Sequence, residues 1–166
     1  PYLPARRLKG LLRDSAQEIA TFLGLKNSTE TLFGKKGDQE CGELKIPNLF
    51  VKDYKLNKKL LNAIVAETKL AYLCLNKEKI LNYFTTIRSS TAIKDGIAQK
   101  HSLRKVRVLS TKERFYGEIA LAEHHVEDFA LICQNVRFIG FDRNRGLGRI
   151  RLNLLKNGKN LDISAV

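Results

Sequence analysis

Apolar positions recur at helical spacing near the start of the chain. Leu8, Leu11, Leu12, Ala16, Ile19 and Leu23 fall mostly three and four apart, which predicts an amphipathic helix with that face on a core. Pro4 precedes the pattern, and Gly24 is its expected stop. Arg6, Lys9 and Arg13 recur three and four apart on another face. Residues 33–42 are rich in glycine and charge and predict a turn-rich connector. Leu44, Ile46 and the run Leu49-Phe50-Val51 then predict a strand, which Pro47 confines to an edge or a bulge. Residues 56–84 return to helical spacing, first through Leu60, Leu61, Ile64, Val65, Ala71, Tyr72 and Leu75, then through Ile80, Leu81 and Phe84.

Residues 85–112 have no helical period. They carry hydroxyls (Thr85, Thr86, Ser89, Ser90, Thr91), an Asp95-Gly96 turn signal, and Val106 and Val108 alternating with Arg107. An extended β-hairpin or arm fits this pattern. Phe115, Gly117, Ile119 and Leu121 alternate and predict a strand over Glu113 to Leu121. His124 to Val136 predicts a helix with Val126, Phe129, Ala130 and Cys133 inward, and an alternating strand is expected over Leu147 to Leu155. The order is helix, strand, insertion, strand, helix, loop, strand. With one strand added in front it becomes βαββαβ, the ferredoxin-like (RRM-like) split βαβ of the α+β class. The expectation is a single domain over 1–166, with a helical insertion at 52–84, a thumb-like arm at 85–112, and a first strand missing from the chain.

Charge sharpens this picture. The 166 residues carry a formal net charge of +13. Residues 1–13 hold four basic and no acidic side chains, residues 86–114 eight and two, and residues 137–151 five and one. Those three segments hold all of the excess, and the remainder of the chain is close to neutral. Three basic segments converging in space would form an electrostatic footprint for nucleic acid. Cys41, Cys74 and Cys133 are far apart and form no Cys-x-x-Cys pair, which fits ordinary small apolar residues in a reducing cytoplasm. No apolar run is long enough for a membrane span, and the amino-terminal residues have no apolar signal region. The chain has no methionine and is expected to begin inside a longer protein.

The densest chemistry lies at 137–151, with three glycines, five arginines and one acid. Glycine allows close approach to a ligand, and arginine presents a planar fork suited to phosphate. The tract precedes a predicted strand, so it is not a dinucleotide-binding fingerprint, and it lacks the Gly-Lys-Ser/Thr of a P-loop. A tight helix-to-strand turn would explain its glycines but not Arg143, Arg145 and Arg149. His101, His124 and His125 lack metal-ligand spacing, so no metal or cofactor is expected. His101, in the basic arm, is a candidate general base for attack by a ribose 2′-hydroxyl, or else an RNA contact or a surface residue. No pair of aromatics on one strand offers a base-stacking sheet, so backbone-gripping arms and loops fit better.

Gly140-Phe141-Asp142-Arg143-Asn144-Arg145-Gly146-Leu147-Gly148-Arg149 resembles the C-terminal glycine-rich loop of the RAMP superfamily, the repeat-associated proteins of CRISPR effector complexes. Three further segments resemble the family in order. Tyr2 through Arg13 is similar to the entry to its first helix. Leu32-Phe33-Gly34 with Gly42-Glu43-Leu44 is similar to the loop and strand that follow. Ile87 through Ile93, Ser102 through Arg104 and Phe115 through Ile119 are similar to its thumb and next strand. The resemblance leans towards type III systems. It implies a ferredoxin-like core with a thumb, binding of CRISPR RNA and target RNA, and partnership with other CRISPR effector subunits in a prokaryotic cytoplasm. Carried over by position, Arg6, Arg7, Lys9 and Arg13 would face guide phosphates, as would the loop residues Arg143, Arg145, Gly146, Gly148 and Arg149. Arg88, Ser90, Thr91, Lys94 and Arg104 would be the RNA-facing residues of the thumb, with Ile93 beside them.

Three departures from the family pattern stand out. Phe141 follows Gly140 where a second glycine is common. Ala5-Arg6-Arg7 replaces the commoner Gly-Ser-Ser. The loop that carries a target-cleaving aspartate in active relatives has no counterpart, so no catalytic residue is assigned. A metal-independent endoribonuclease of the same superfamily is the enzymatic alternative, with His101 as base, and a ribosome-associated ferredoxin-like protein is the third reading.

Overall fold

Pro4 is the hinge on which the first helix starts. Its carbonyl accepts from the amides of Arg7 and Leu8, and the amide of Ala5 donates to Asn48 Oδ1 at 2.8 Å, so the Ala5 and Arg7 amides of the first turn have partners. In a computed structural model, which describes residues 1–23, 26–34, 42–66 and 76–161, this helix is α1 (Ala5–Leu23). A two-residue strand, β1 (Tyr2–Leu3), precedes it, so a short strand stands ahead of the first helix where the sequence pattern expects that strand to be missing; two residues are too few to show as an alternating pattern. The expected stop at Gly24, most of the connector at 33–42, and Ala71, Tyr72 and Leu75 of the insertion lie outside the described residues, as do Cys41 and Cys74.

The chain divides into two units, one of Phe50–Tyr116 (with Pro1) and one of Tyr2–Leu49 and Gly117–Val166. The second holds the core. Leu8, Leu12, Ala16 and Ala20 form a buried stripe one helical turn apart along α1. They join Leu32 and Phe33 from α2 (Lys26–Phe33), then Leu44, and finally Phe129, Ala130, Ile132 and Cys133 from α5 (Val126–Asn135) with Val136 just beyond it. Each large aliphatic or aromatic side chain buried this way contributes about 1.5–3 kcal/mol. A polar clip fixes α1 to α5: buried Ser15 donates from Oγ to the carbonyl of Ile132 at 2.9 Å, while Asn135 Nδ2 donates to Ser15 Oγ and Glu18 Oε2. Such a bond is worth more than its average when its loss would strand a buried hydroxyl.

The carboxyl end of α2 shows where the family-like residues Leu32-Phe33-Gly34 and Gly42-Glu43-Leu44 come together. Gly34 is left-handed (φ 77°) and its amide donates to the Glu30 carbonyl, the usual way a helix ends at glycine. The amides of Glu43 and Leu44 donate to the carbonyls of Thr31 and Leu32 at 3.0 Å. Gly42 sits so close to this helix end that a Cβ would lie 2.4 Å from the Gly34 amide nitrogen and 2.4 Å from the Leu32 carbonyl oxygen.

The other unit carries the arm. β2 (Leu49–Val51) pairs antiparallel with β7 (Phe115–Tyr116) through Phe50 opposite Tyr116 and Val51 opposite Phe115. Helix α3 (Tyr54–Ala66) follows, with Phe50 stacked on Tyr54 at 4.3 Å between centroids. Helix α4 (Lys77–Phe84) is capped by Asn76, whose side chain accepts from the Glu78 amide at 2.8 Å. The chain runs from α4 directly into β3 (Thr85–Ser90), which pairs in register with β6 (Arg104–Leu109), from Thr85 opposite Leu109 to Ser90 opposite Arg104. Beyond this ladder, β4 (Ile93–Lys94) and β5 (Ile97–Ala98) close around Asp95 and Gly96, both at positive φ. Two adjacent left-handed residues are the geometry of a type I′ hairpin turn.

Two strands expected from alternation are much shorter than the pattern. In Glu113 to Leu121 only Phe115–Tyr116 is a strand, with an isolated bridge from Ala120 to Lys45. In Leu147 to Leu155 the only pairing before Leu155 among the described residues is a bridge from Arg149 to Phe138, and the chain then forms the small hairpin of β8 (Leu155–Lys156) and β9 (Lys159–Asn160). Alternation specifies which face is apolar, but a ladder also needs a partner strand in register. The described residues are therefore of mixed α+β class, with several helices and small sheets.

Candidate nucleic-acid interface

The glycine–arginine tract emerges from α5 as a closed loop on a narrow neck. The Ile139 amide donates to the Gly148 carbonyl at 2.8 Å, and the Ile150 amide to the Arg137 carbonyl at 2.9 Å. Gly148 (φ 73°) is obligatory here, because a Cβ would stand 1.9 Å from the Ile139 carbonyl oxygen. Within the neck, Asp142 is left-handed, Arg143–Arg145 make one 3-10 turn, and left-handed Gly146 (φ 74°) ends it. The space around the missing Cβ atoms of Gly140 and Gly146 is open. Glycine at 148 thus serves the neck, whereas Gly140 and Gly146 sit where a ligand could approach the backbone.

Arg143, Arg145 and Arg149 are exposed, and among the described residues no hydrogen bond or ion pair engages their side chains. Exposed Phe141 presents its ring to α1, and the Arg7 guanidinium carbon lies 5.3 Å from the ring centroid. This is a cation–π contact. It brings the first and third basic segments of the chain together. Arg6 is exposed beside Arg7, and Lys9 is half-buried one turn on. Arg13 is partly withdrawn from this group, since its Nη2 donates to the carbonyls of Phe33 at 2.5 Å and Gly34 at 3.2 Å. It completes the carbonyl caps of α2, a role no local pattern in the sequence signals.

Behind the neck lies a cleft of about 860 Å³ lined by Arg137, Arg149, Arg151, Gln134, Asn153 and Asn160 among others. Arg137 and Arg151 add to the charge of the tract, but no pattern in the sequence signals that they share a cleft.

In the arm, strand register puts Arg88, Ser90 and Arg104 on one face of the β3–β6 ladder, with Thr86, Val106 and Val108. Thr91 follows β3 and Lys94 lies in β4 at the tip, all exposed. Arg107, on the opposite face, is held by Asn82 Oδ1 at 2.8 Å and Thr85 Oγ1 at 3.0 Å. His101 is exposed at positive φ (60°) in the turn where Ser102 Oγ donates to the Gln99 carbonyl and accepts from the Ala92 amide.

The RAMP superfamily model matches residues 1–151, a span that includes α1, the arm and the whole glycine loop. The chain belongs to the RAMP superfamily. No curated protein matches it. RAMP proteins are associated with CRISPR-related RNA binding and act in CRISPR complexes with RNA and other subunits. In this RAMP chain, two of the departures from the family pattern touch each other, because Arg7 and Phe141 are the two halves of the cation–π pair. Among the described residues no helix is long and apolar enough to cross a membrane.

Proposed function

We propose that this RAMP chain holds the sugar-phosphate backbone of a CRISPR guide RNA as a subunit of a type III-like effector that recognises target RNA. The observation that carries the reading is the Arg7–Phe141 contact, which joins the amino end of α1 to the glycine loop. Arg6, Arg7, Lys9, Arg143, Arg145 and Arg149 then act as a cradle of phosphate-binding forks and charges. Open space at Gly140 and Gly146 favours close backbone approach. Phe141 adds a stacking surface for a base beside the clamp.

The β3–β6 ladder and its tip are the thumb in this proposal, with Arg88, Ser90, Thr91, Lys94 and Arg104 set against RNA. The core in this proposal is a ferredoxin-like split βαβ, with the short β1 in the place of its first strand.

Alanine at Arg143, Arg145 and Arg149 should weaken binding to unrelated single-stranded RNAs alike, since phosphate contacts carry no sequence information. Retained affinity in the triple variant would move the site elsewhere. RNA of discrete guide length should co-purify with the native complex; ribosomal RNA in its place would favour a ribosome-associated role.

A further inference from the structure

Glu43, His124 and His125 meet at the amino end of α5, away from the basic cradle in sequence and in chemistry. Their ligand atoms all lie within 4.8 Å of one another. The imidazole of His125 is about nine-tenths buried, and its Nε2 has no hydrogen-bond partner. That nitrogen points at Glu43 Oε2 from 3.6 Å, too far for a hydrogen bond. A buried polar atom without a partner is uncommon and calls for an explanation. The ring of His124 stands 4.0 Å from that of His125, tilted by 47°, so both imidazoles front the same space.

The backbone holds this arrangement from two directions. The amides of Glu43 and Leu44 are pinned to the end of α2, and His124 and His125 lie in the 3-10 turn Glu123–His125 that leads into α5. Glu123, the nearest other carboxylate in sequence, is engaged by Lys156. Glu43 and His124 are exposed, while His125 is the buried member of the group.

We propose that Glu43, His124 and His125 bind a divalent transition-metal ion, with zinc the best match to two imidazoles and a carboxylate. Ligands about 2.0–2.2 Å from a tetrahedral zinc stand roughly 3.3–3.6 Å apart, so the two exposed side chains need close by only about 1–1.5 Å. Three protein ligands leave a fourth position for water. The ion would tie the Gly42–Leu44 segment to the start of α5, acting as a clip within one unit and independently of RNA.

The test is zinc binding by the metal-stripped full chain near neutral pH, followed by calorimetric titration and by thermal unfolding. One Zn²⁺ per chain is expected, with the melting temperature raised by roughly 5–10 °C at a hundredfold excess over Kd. Glu43→Gln and His124→Ala, both at exposed positions, should each weaken zinc at least about tenfold while leaving the far-UV spectrum of the stripped protein unchanged. Absence of saturable one-to-one binding by the natural chain would overturn the proposal and leave only a side-chain contact between His125 and Glu43. A zinc affinity unchanged by either substitution would equally overturn it, because the ligands would then lie elsewhere.

Discussion

The guanidinium of Arg7 stands over the ring of Phe141, 5.3 Å from its centroid. The contact links the first turn of α1 to the glycine loop. An exposed cation–π pair of this kind is worth about 0.5–1 kcal/mol. A double-mutant cycle with Arg7→Ala and Phe141→Ala, followed by denaturant unfolding, should return a coupling energy of about that size. Additive losses would mean that the loop is positioned by its neck alone.

The two loop glycines should separate folding from ligand approach. Gly148→Ala forces a Cβ into the Ile139 carbonyl and should lower stability by more than the roughly 1–2 kcal/mol of left-handed strain alone. Gly146→Ala meets open space, so it carries the strain without the clash and should be the milder change in thermal unfolding. If Gly146 lies against RNA, its alanine variant should nevertheless lose affinity; equal melting temperatures for the two variants would contradict this division.

Arg13 predicts a loss of a different kind. It caps the carbonyls of Phe33 and Gly34, so Arg13→Ala should cost about 1–3 kcal/mol of stability with or without RNA. Arg6→Ala, whose side chain is exposed, should leave unfolding within about 0.5 kcal/mol of the natural chain. Chemical denaturation of the two variants side by side checks both expectations.

These cases show what a linear reading can and cannot reach. The apolar stripe of α1 was legible because helical period and burial are the same information: Leu8, Leu12 and Ala16 are buried as the spacing predicts. The inward face of α5, with Phe129, Ala130 and Cys133, was legible for the same reason. The strand expected over Leu147 to Leu155 was not reliable, since alternation says nothing about whether a partner is present. Phe141 made no sense locally because its partner lies at the other end of the chain, and a lone aromatic between glycine and charge was its only signal. Arg13 was counted with the phosphate-facing residues because the carbonyls it caps are set by the end of another helix. Glu43 and the two histidines share no spacing, and only folding brings them together.

Cys133 offers a check on the core itself. Burial pushes its thiol up to about 12. The folded state therefore keeps the proton while an unfolded chain, with the ordinary value of 9.0, begins to release it. Stability from this group is fully present below pH 9 and is lost as pH rises from about 9 towards 12. Cys133→Ala should show a shallower loss of stability over that window than the natural chain, and an identical slope would mean that the thiol is not held in the core. In the native protein at pH 8, modification of Cys133 by a thiol reagent should proceed only as fast as the core opens.

The central claim is that the arginines of α1 and of the glycine loop neutralise RNA phosphates. Its most direct measurement is the salt dependence of binding to a single-stranded RNA, for the natural chain and for the variant with alanine at 143, 145 and 149. The logarithm of the binding constant should fall linearly with the logarithm of salt concentration, with a slope of about −0.7 for each phosphate neutralised. The natural chain should therefore show a slope of about −3 or steeper, and the variant a slope shallower by about 2. A nearly flat slope for the natural chain, or the same slope in both proteins, would contradict the claim.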